Sequence, residues 1–372
     1  MRVTNLALED VRSYSSVDLV LAGGVTAFIG PNGAGKTNLL EAIHLAARGD
    51  SPRALDDSEL VRWGANTGRV RVEIERAEGH RRVELLFFAP PEGERRRPRR
   101  YLLDGAGKRA DDVTGELVVV AFFPEDVELL GAAPSARRRF LDAMLAQVER
   151  AHRRETRELR RVLEQRNALL RVAREEMVLP EDEMAFWDRE LVRLASSISL
   201  RRADLIRQLA EPFRVATARF AAAEGLDLAY GGQVEGRTVE ERAFAYQGLL
   251  REKRDHERWQ GTTLVGPQRD DLLVTASGRA LPSFASRGEH RSAVLSLKLA
   301  EATWLTARIG EPPVFLLDDV LSELDPARRE ALAVAIPADA QALLTTATTT
   351  ALPDALHDRA TLIPVRRGEV GP

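Results

Sequence analysis

The sequence contains no cysteine, which removes disulfides, zinc–thiolate sites and thiol nucleophiles and fits a reducing compartment. Its six histidines, at 44, 80, 152, 256, 290 and 357, are scattered, so a histidine-built metal site is not expected. Long apolar runs are also missing: the longest strongly apolar stretch, Leu117 to Phe123, covers seven residues, too few to cross a bilayer. The chain opens at Met1-Arg2-Val3-Thr4-Asn5 on alternating strand-like sequence rather than on the pattern of an export signal. A cytoplasmic protein without membrane association is therefore expected. Lysine is scarce, with only Lys36, Lys108, Lys253 and Lys298, so positive charge rests on arginine. No internal repeat is visible, and low complexity is confined to the arginine block at 95 to 100.

What is present is a chain of 372 residues, 44% hydrophobic and 30% charged, long enough for two domains that each bury a core. Directly after the apolar run Val25-Thr26-Ala27-Phe28-Ile29 comes Gly30-Pro31-Asn32-Gly33-Ala34-Gly35-Lys36-Thr37, the form of a phosphate-binding loop between a buried strand and a helix. Backbone N–H groups of such a loop turn inward to cradle phosphate oxygens, and side chains at Gly30, Gly33 and Gly35 would obstruct that approach. Lys36 then reaches the β- and γ-phosphates of a nucleoside triphosphate and Thr37 ligates Mg2+. A second element agrees. Pro313-Val314-Phe315-Leu316-Leu317-Asp318-Asp319 reads as an apolar strand ending in two carboxylates. Asp318 would support Mg2+ through water, and Asp319 would occupy the general-base position. A strand end turning into solvent fits the pair less well. Aspartate at 319 is one methylene shorter than glutamate, so it must reach farther to orient water and hydrolysis should be slow.

A net charge of −3 does not exclude nucleic acid, because the distribution of charge decides that question. From Arg150 to Arg174 nine arginines face only Glu155, Glu158 and Glu164. Arg137, Arg138 and Arg139 follow Ser135, a candidate N-cap, and cations in a first helical turn oppose the dipole, which suggests an external anion. With Arg150, Arg153, Arg154 and Arg157 they would line one wall of a positive cleft for duplex DNA. A preference for arginine and a solvated helix face, partly neutralised by i,i+4 pairs, stands beside that reading.

Short β patterns with one clear helix after Lys36 fill residues 1 to 125. From Ser135 the chain stays helical until about Val178, with Leu159, Leu163, Arg166, Leu170, Ala173 and Met177 stepping by four and three as in a coiled-coil seam. After a break at Leu179-Pro180-Glu181-Asp182, a second helix carries Trp187, Leu191, Leu194, Ile198 and Leu205, making an antiparallel hairpin. Beyond Gly225 strand-like texture returns. Within it, Ser286-Arg287-Gly288-Glu289 admits two readings. Ser286 and Glu289 form a capping box; alternatively, the glycine, which a cap does not need, lets an anion approach a helix N-terminus.

In order and spacing the Ser286 segment resembles the signature of ABC-type ATPases, and Leu321 to Asp325 resembles their D-loop at a dimer seam. Leu8 to Tyr14 resembles the opening of the SMC-related branch, which implies a nucleotide contact for Arg12. Together with Gly35 to Ile43, Phe123 to Asp126, Ser135 to Asp142, Val265 to Leu272 and Leu316 to Asp325, these stretches resemble the RecF family of bacterial recombination-repair ATPases from end to end. The resemblance implies an α/β fold, a split P-loop ABC-type head of mixed sheet lobes with an inserted helical hairpin. The head would take residues 1–125 and 225–372 and the hairpin 126–224. It implies an ATP- and Mg2+-dependent homodimer whose composite sites pair Lys36 and Thr37 of one copy with Ser286 and Gly288 of the other, with Asp325 at the seam. Such a dimer would bind duplex and junction DNA and act with RecO and RecR to place RecA on single strands, with weak ATP turnover serving as a switch. Another SMC-type chromosome or repair ATPase, or an ATP-switched clamp with negligible turnover, are the alternatives. The chain departs from the family pattern at Glu289, where glutamine is expected, and at Gln268, where histidine is expected; an acid at Glu289 bears on the strength of dimer closure. A transporter subunit fails on the spacing from Lys36 to Ser286, and no guanine-reading Asn/Thr-Lys-x-Asp motif is present.

Overall fold

The computed structural model describes the chain except residues 55, 90–98, 177–180, 221–224, 277–278, 282–285 and 372 and the side chains of Arg287 and Glu323. Arg95, Arg96, Arg97, Met177 and the break expected at Leu179-Pro180 lie outside the described residues. Strands β1 (Arg2–Val11) and β2 (Tyr14–Val20) pair as a hairpin, and β3 (Val25–Ile29) leads through the glycine loop into α1 (Lys36–Arg48). β4 (Thr67–Arg76), β5 (Gly79–Phe88), β6 (Arg100–Leu103) and β7 (Ala106–Lys108) extend the hairpin to an antiparallel sheet of order β2-β1-β4-β5-β6-β7. Along β4, buried Val70, Val72 and Ile74 alternate with arginine and glutamate, the period of a sheet with one face in the core.

After the short α2 (Ala110–Val113), β8 (Val119–Phe122) belongs to a second sheet. Its other members are β3, β12 (Val314–Asp318), β13 (Ala342–Thr346), β14 (Ala360–Arg366) and β15 (Glu369–Val370), in the order β15-β14-β3-β13-β12-β8. All neighbours are parallel except β14 and β15. β8, β12 and β13 are buried at every residue, which is why they read as unbroken apolar runs rather than alternating ones. Helix α1 shares one core with residues of both sheets, and ten of its thirteen residues are buried. Gln341 stitches the two sheets together: its amide accepts from Val3 N–H at 2.7 Å and donates to the Val3 carbonyl at 2.8 Å.

The chain forms two compact units, one of Met1–Val127, Val215–Ala222 and Arg291–Pro372, the other of Glu128–Arg214 and Ala223–His290. In the second, α3 (Pro134–Val148) and α4 (Arg150–Glu176) replace the single helix expected from Ser135 to Val178, because Glu149 leaves the helical region at φ −120° and ψ 96°. The N-cap is Ala133, not Ser135; Pro134, with its φ already helical, takes the first position. α4 runs antiparallel to α5 (Glu181–Arg219), as the ion pairs Arg166–Asp188, Arg193–Glu158 and Arg201–Glu155 require, so the expected hairpin is present. The strand-like reading beyond Gly225 holds for β9 (Leu226–Gly231) and for β10 (Asp271–Ala276), which pairs with β9 on one side and with β11 (Arg279–Ala280) on the other, but it omits α6 (Val239–Gln260). The buried positions of α6 are Arg242, Tyr246, Leu250 and Glu257, so the helix lacks the apolar stripe that would have revealed it. Arg166, expected in a seam, is buried and bonds to Asp188, Thr263 and Glu257. α7 (Arg287–Ile309), α8 (Pro326–Ala335) and α9 (Asp354–His357) complete the helices among the described residues.

Candidate nucleotide site

The glycine loop is shaped by its own neighbours. Gly35 adopts φ +107°, and a Cβ there would lie 2.8 Å from Ser13 Oγ and 2.9 Å from Tyr14 Oη. At Gly30 a Cβ would meet the Val365 carbonyl oxygen at 2.1 Å, whereas at Gly33 space is open and only the positive φ of 79° favours glycine. At Gly30 and Gly35 the packing of the folded chain is thus a reason for glycine in addition to the expected room for phosphate. Tyr14 Oη donates to the Gly35 carbonyl at 3.1 Å, and Gly368 N–H donates to that of Ala34 at 2.9 Å. Pro31, Asn32 and Gly33 form the exposed rim. Lys36, almost buried, folds its ammonium back across the loop and donates to the carbonyls of Gly30 at 2.6 Å and Pro31 at 3.0 Å. Burial lowers its pKa, opposed by the charges of Asp319 and Asp318.

Beside the loop, β12 delivers Asp318. Thr37 Oγ1 and Thr345 Oγ1 each donate to Asp318 Oδ1 at 2.8 Å, and Asp319 N–H donates to Thr345 Oγ1 at 2.9 Å. Burial raises the Asp318 pKa, with the two hydroxyl donors working against it. Asp319 stands at φ +51°, a left-handed conformation that aspartate tolerates better than most residues and that turns the chain sharply out of the sheet. The cleft, of about 290 Å³, is lined among others by Lys36, Thr37, Arg53, Asp318, Asp319 and Thr345. Among its hard oxygen donors, the Thr37 hydroxyl and the Asp318 carboxylate fit Mg2+, which keeps several waters and takes its remaining ligands from phosphate.

Arg12, expected at the nucleotide, makes a bidentate ion pair with Glu41 of α1 at 2.9 and 2.7 Å and donates to the Glu59 carbonyl. Glu41 is buried and also receives Ser51 Oγ and Arg53 Nη2, the latter at 2.9 Å. Of the two arginines on this carboxylate, Arg53 reaches the cleft lining. Glu41 lies in the Gly35 to Ile43 stretch that carries the family resemblance but was given no role there, and no motif contains Arg53 or Thr345, so sequence reasoning missed the part all three play.

Over residues 2–369 the chain matches the family described as RecF/RecN/SMC N terminal domain. The DNA replication and repair protein RecF of Roseiflexus castenholzii is 39% identical, over 94% of this chain and 94% of its own. That of Chloroflexus aurantiacus is 38% identical, over 94% and 93%. A solved structure of the recombination mediator protein RecF with ATP in the RecFOR pathway superposes at a TM-score of 0.87 with 26% identity, covering 99% of this chain and 96% of that one. The chain belongs to the RecF family. An Smc head bound to the C-winged helix domain of ScpA, 15% identical at a TM-score of 0.55 over 100% of this chain and 96% of that one, shares the fold, that of a split ABC-type ATPase head.

In this RecF-family chain the capping box at the start of α7 is formed. Ser286 N–H donates to Glu289 Oε2 at 2.7 Å and Glu289 N–H to Ser286 Oγ at 3.2 Å, and hydrogen bonding to Ser286 lowers the Glu289 pKa. Ser286 and Gly288 lie in the helical unit and Lys36 and Thr37 in the sheet unit. Asp325 caps α8, accepting from Arg328 N–H at 2.9 Å. Among the arginines read as DNA contacts, Arg137 is held by Asp271 at 2.7 Å and by the carbonyls of Leu130 and Ala132, and Arg138 donates to the Asp270 carbonyl at 2.8 Å. For Arg137 the placement in the first turn of α3 therefore does not call for an external anion, because the Asp271 carboxylate supplies one. Arg153 donates to the Ala146 carbonyl, and Arg150 and Arg157 also have partners within the chain. Arg139 and Arg154 are exposed. No helix among the described residues is long and apolar enough to cross a membrane.

Proposed function

We propose that this chain is an ATP-dependent DNA-binding protein of recombinational repair that dimerises on ATP. The observation that carries the reading is the 2.8 Å contact of Thr37 Oγ1 with Asp318 Oδ1, which joins the two nucleotide motifs across the chain beside Lys36 and Asp319. Lys36 would exchange its bonds to Gly30 and Pro31 for phosphate oxygens, and Thr37 and Asp318 would hold Mg2+, which supplies neutralising charge at the β- and γ-phosphates. Asp319 would orient and deprotonate the attacking water. These groups make half a phosphate shell. Ser286 and Gly288 of a second copy would supply the other half, with Asp325 at the seam. The solved RecF complex with ATP and the relatives named for DNA replication and repair support the same reading. Acting with RecO and RecR at gapped or junction DNA, the dimer would help place RecA on single strands.

Light scattering against ATP concentration tests the composite site. Ser286→Arg should keep ATP affinity and abolish ATP-dependent dimers; unimpaired dimerisation overturns the arrangement. Asp319→Asn should trap the ATP-bound dimer, and a wild-type turnover at or above about 10 s⁻¹ would contradict the switch-like role.

A further inference from the structure

The antiparallel sheet carries a cleft of about 670 Å³ at the β6–β7 end, and its lining shares no residue with the nucleotide cleft. Arg69, Arg99, Arg100, Lys108 and Arg109 line it, with Asp112 as the acid among them. Two of the cations are fixed from behind: Arg69 bonds to Glu84 at 2.6 Å and Arg99 pairs with Asp57. The other three, Arg100, Lys108 and Arg109, are exposed, and no carboxylate among the described residues pairs with them. The Arg100 guanidinium lies 5.7 Å over the Phe88 ring, which holds it extended without neutralising it.

We infer that this cleft binds the phosphodiester backbone of a DNA strand, an inference that rests on the DNA-binding reading above. A lysine on an edge strand such as β7 commonly guards the edge against pairing with another chain. A guard needs one charge facing outward. Here three cations, with which no carboxylate among the described residues pairs, line one concave surface, where like charges repel and field lines concentrate, so that an extended polyanion is the ligand that relieves the repulsion. The arm arginines offer less, because Arg137, Arg138 and Arg153 are already bonded within the chain. Contacts of this kind carry no base readout, so binding is insensitive to sequence and steep in salt.

The test is anisotropy of a labelled gapped duplex with ATP present, from 50 to 200 mM salt. The proteins compared are wild type, the triple variant Arg100→Ala, Lys108→Ala, Arg109→Ala, and the arm variant Arg139→Ala, Arg154→Ala. Removing three phosphate contacts should reduce the slope of log affinity against log salt by about 2.7 and weaken binding on the order of a hundredfold at 0.1 M salt. Arg100→Lys with Arg109→Lys, which keeps the charge, should retain the wild-type slope. Unchanged melting temperature and ATP-dependent dimerisation show that the variants are folded. A triple variant with wild-type slope and affinity overturns the cleft and leaves the DNA-binding reading standing; wild type that binds no DNA at 50 mM overturns both.

Discussion

Glu41 binds two arginines and a serine from two separate segments, Arg12 from one and Ser51 and Arg53 from the other, so its removal leaves cations facing one another beside the phosphate loop. Burial alone would raise its pKa; hydrogen bonds from Arg12 and Ser51 and the charge of Arg53 outweigh that and hold it below the usual carboxylate range. A depressed carboxylate stabilises the fold at neutral pH and loses that contribution as pH falls through its folded value. Glu41→Gln should therefore lower stability at pH 7 by about 2 kcal/mol in urea titrations, with a smaller difference from wild type in acid. ATP affinity should fall with it, since Arg53 loses its anchor. Gly35→Ala should abolish binding of a fluorescent ATP analogue and lower the melting temperature, because the methyl would meet Ser13 and Tyr14 at a φ alanine avoids. At this scale the sequence was legible where the site is contiguous, at Lys36, Thr37 and Asp318. It was silent on Thr345 and Arg53, whose roles arise only when distant segments are brought together.

Among the elements, α3 and α5 are tied by Asp142, which accepts a bidentate pair from Arg202 at 2.8 and 2.7 Å and a hydrogen bond from His152. Burial pushes the Asp142 pKa up, but Arg202 and His152 more than offset it and hold the carboxyl at about 2. The stabilisation is thus complete above the ordinary aspartate range and disappears as pH drops from about 4 to 2. Asp142→Asn should cost at least about 2 kcal/mol at pH 7 and flatten the acid limb of a circular dichroism titration. A wild-type acid limb in the variant would show that the tie does not matter. The elements missed in the sequence fail for related reasons: α6 buries charged and hydroxyl groups in place of an apolar stripe, and the break at Glu149 has no glycine or proline to mark it. The apolar strands β3, β12 and β13 and the hairpin of α4 and α5 were readable because burial follows their period.

For the whole molecule, the capping box matters to assembly. Glutamine can take the same backbone N–H as Glu289, so Glu289→Gln should leave the unfolding free energy within about 0.5 kcal/mol of wild type. It removes a negative charge from the helix start that would face a γ-phosphate, so the ATP concentration needed for half-maximal dimerisation in light scattering should fall several-fold. No change in that concentration would mean that the start of α7 stays away from the nucleotide.

The strand that carries the phosphate loop has its neighbours far away in the chain. β3 lies between β13 and β14, and Gly368 holds the loop at Ala34. On a ribosome adding 5–20 residues per second, the strands that flank β3 emerge about 300 residues after it, so roughly 15 to 60 s pass in which the loop exists only as sequence. During that interval the apolar strand Val25–Ile29 has no partner on either side and is open to mispairing or to a chaperone. The phosphate loop is therefore translated long before the strands that complete its site, and a nascent chain arrested before β14 should not bind ATP although its loop sequence is complete.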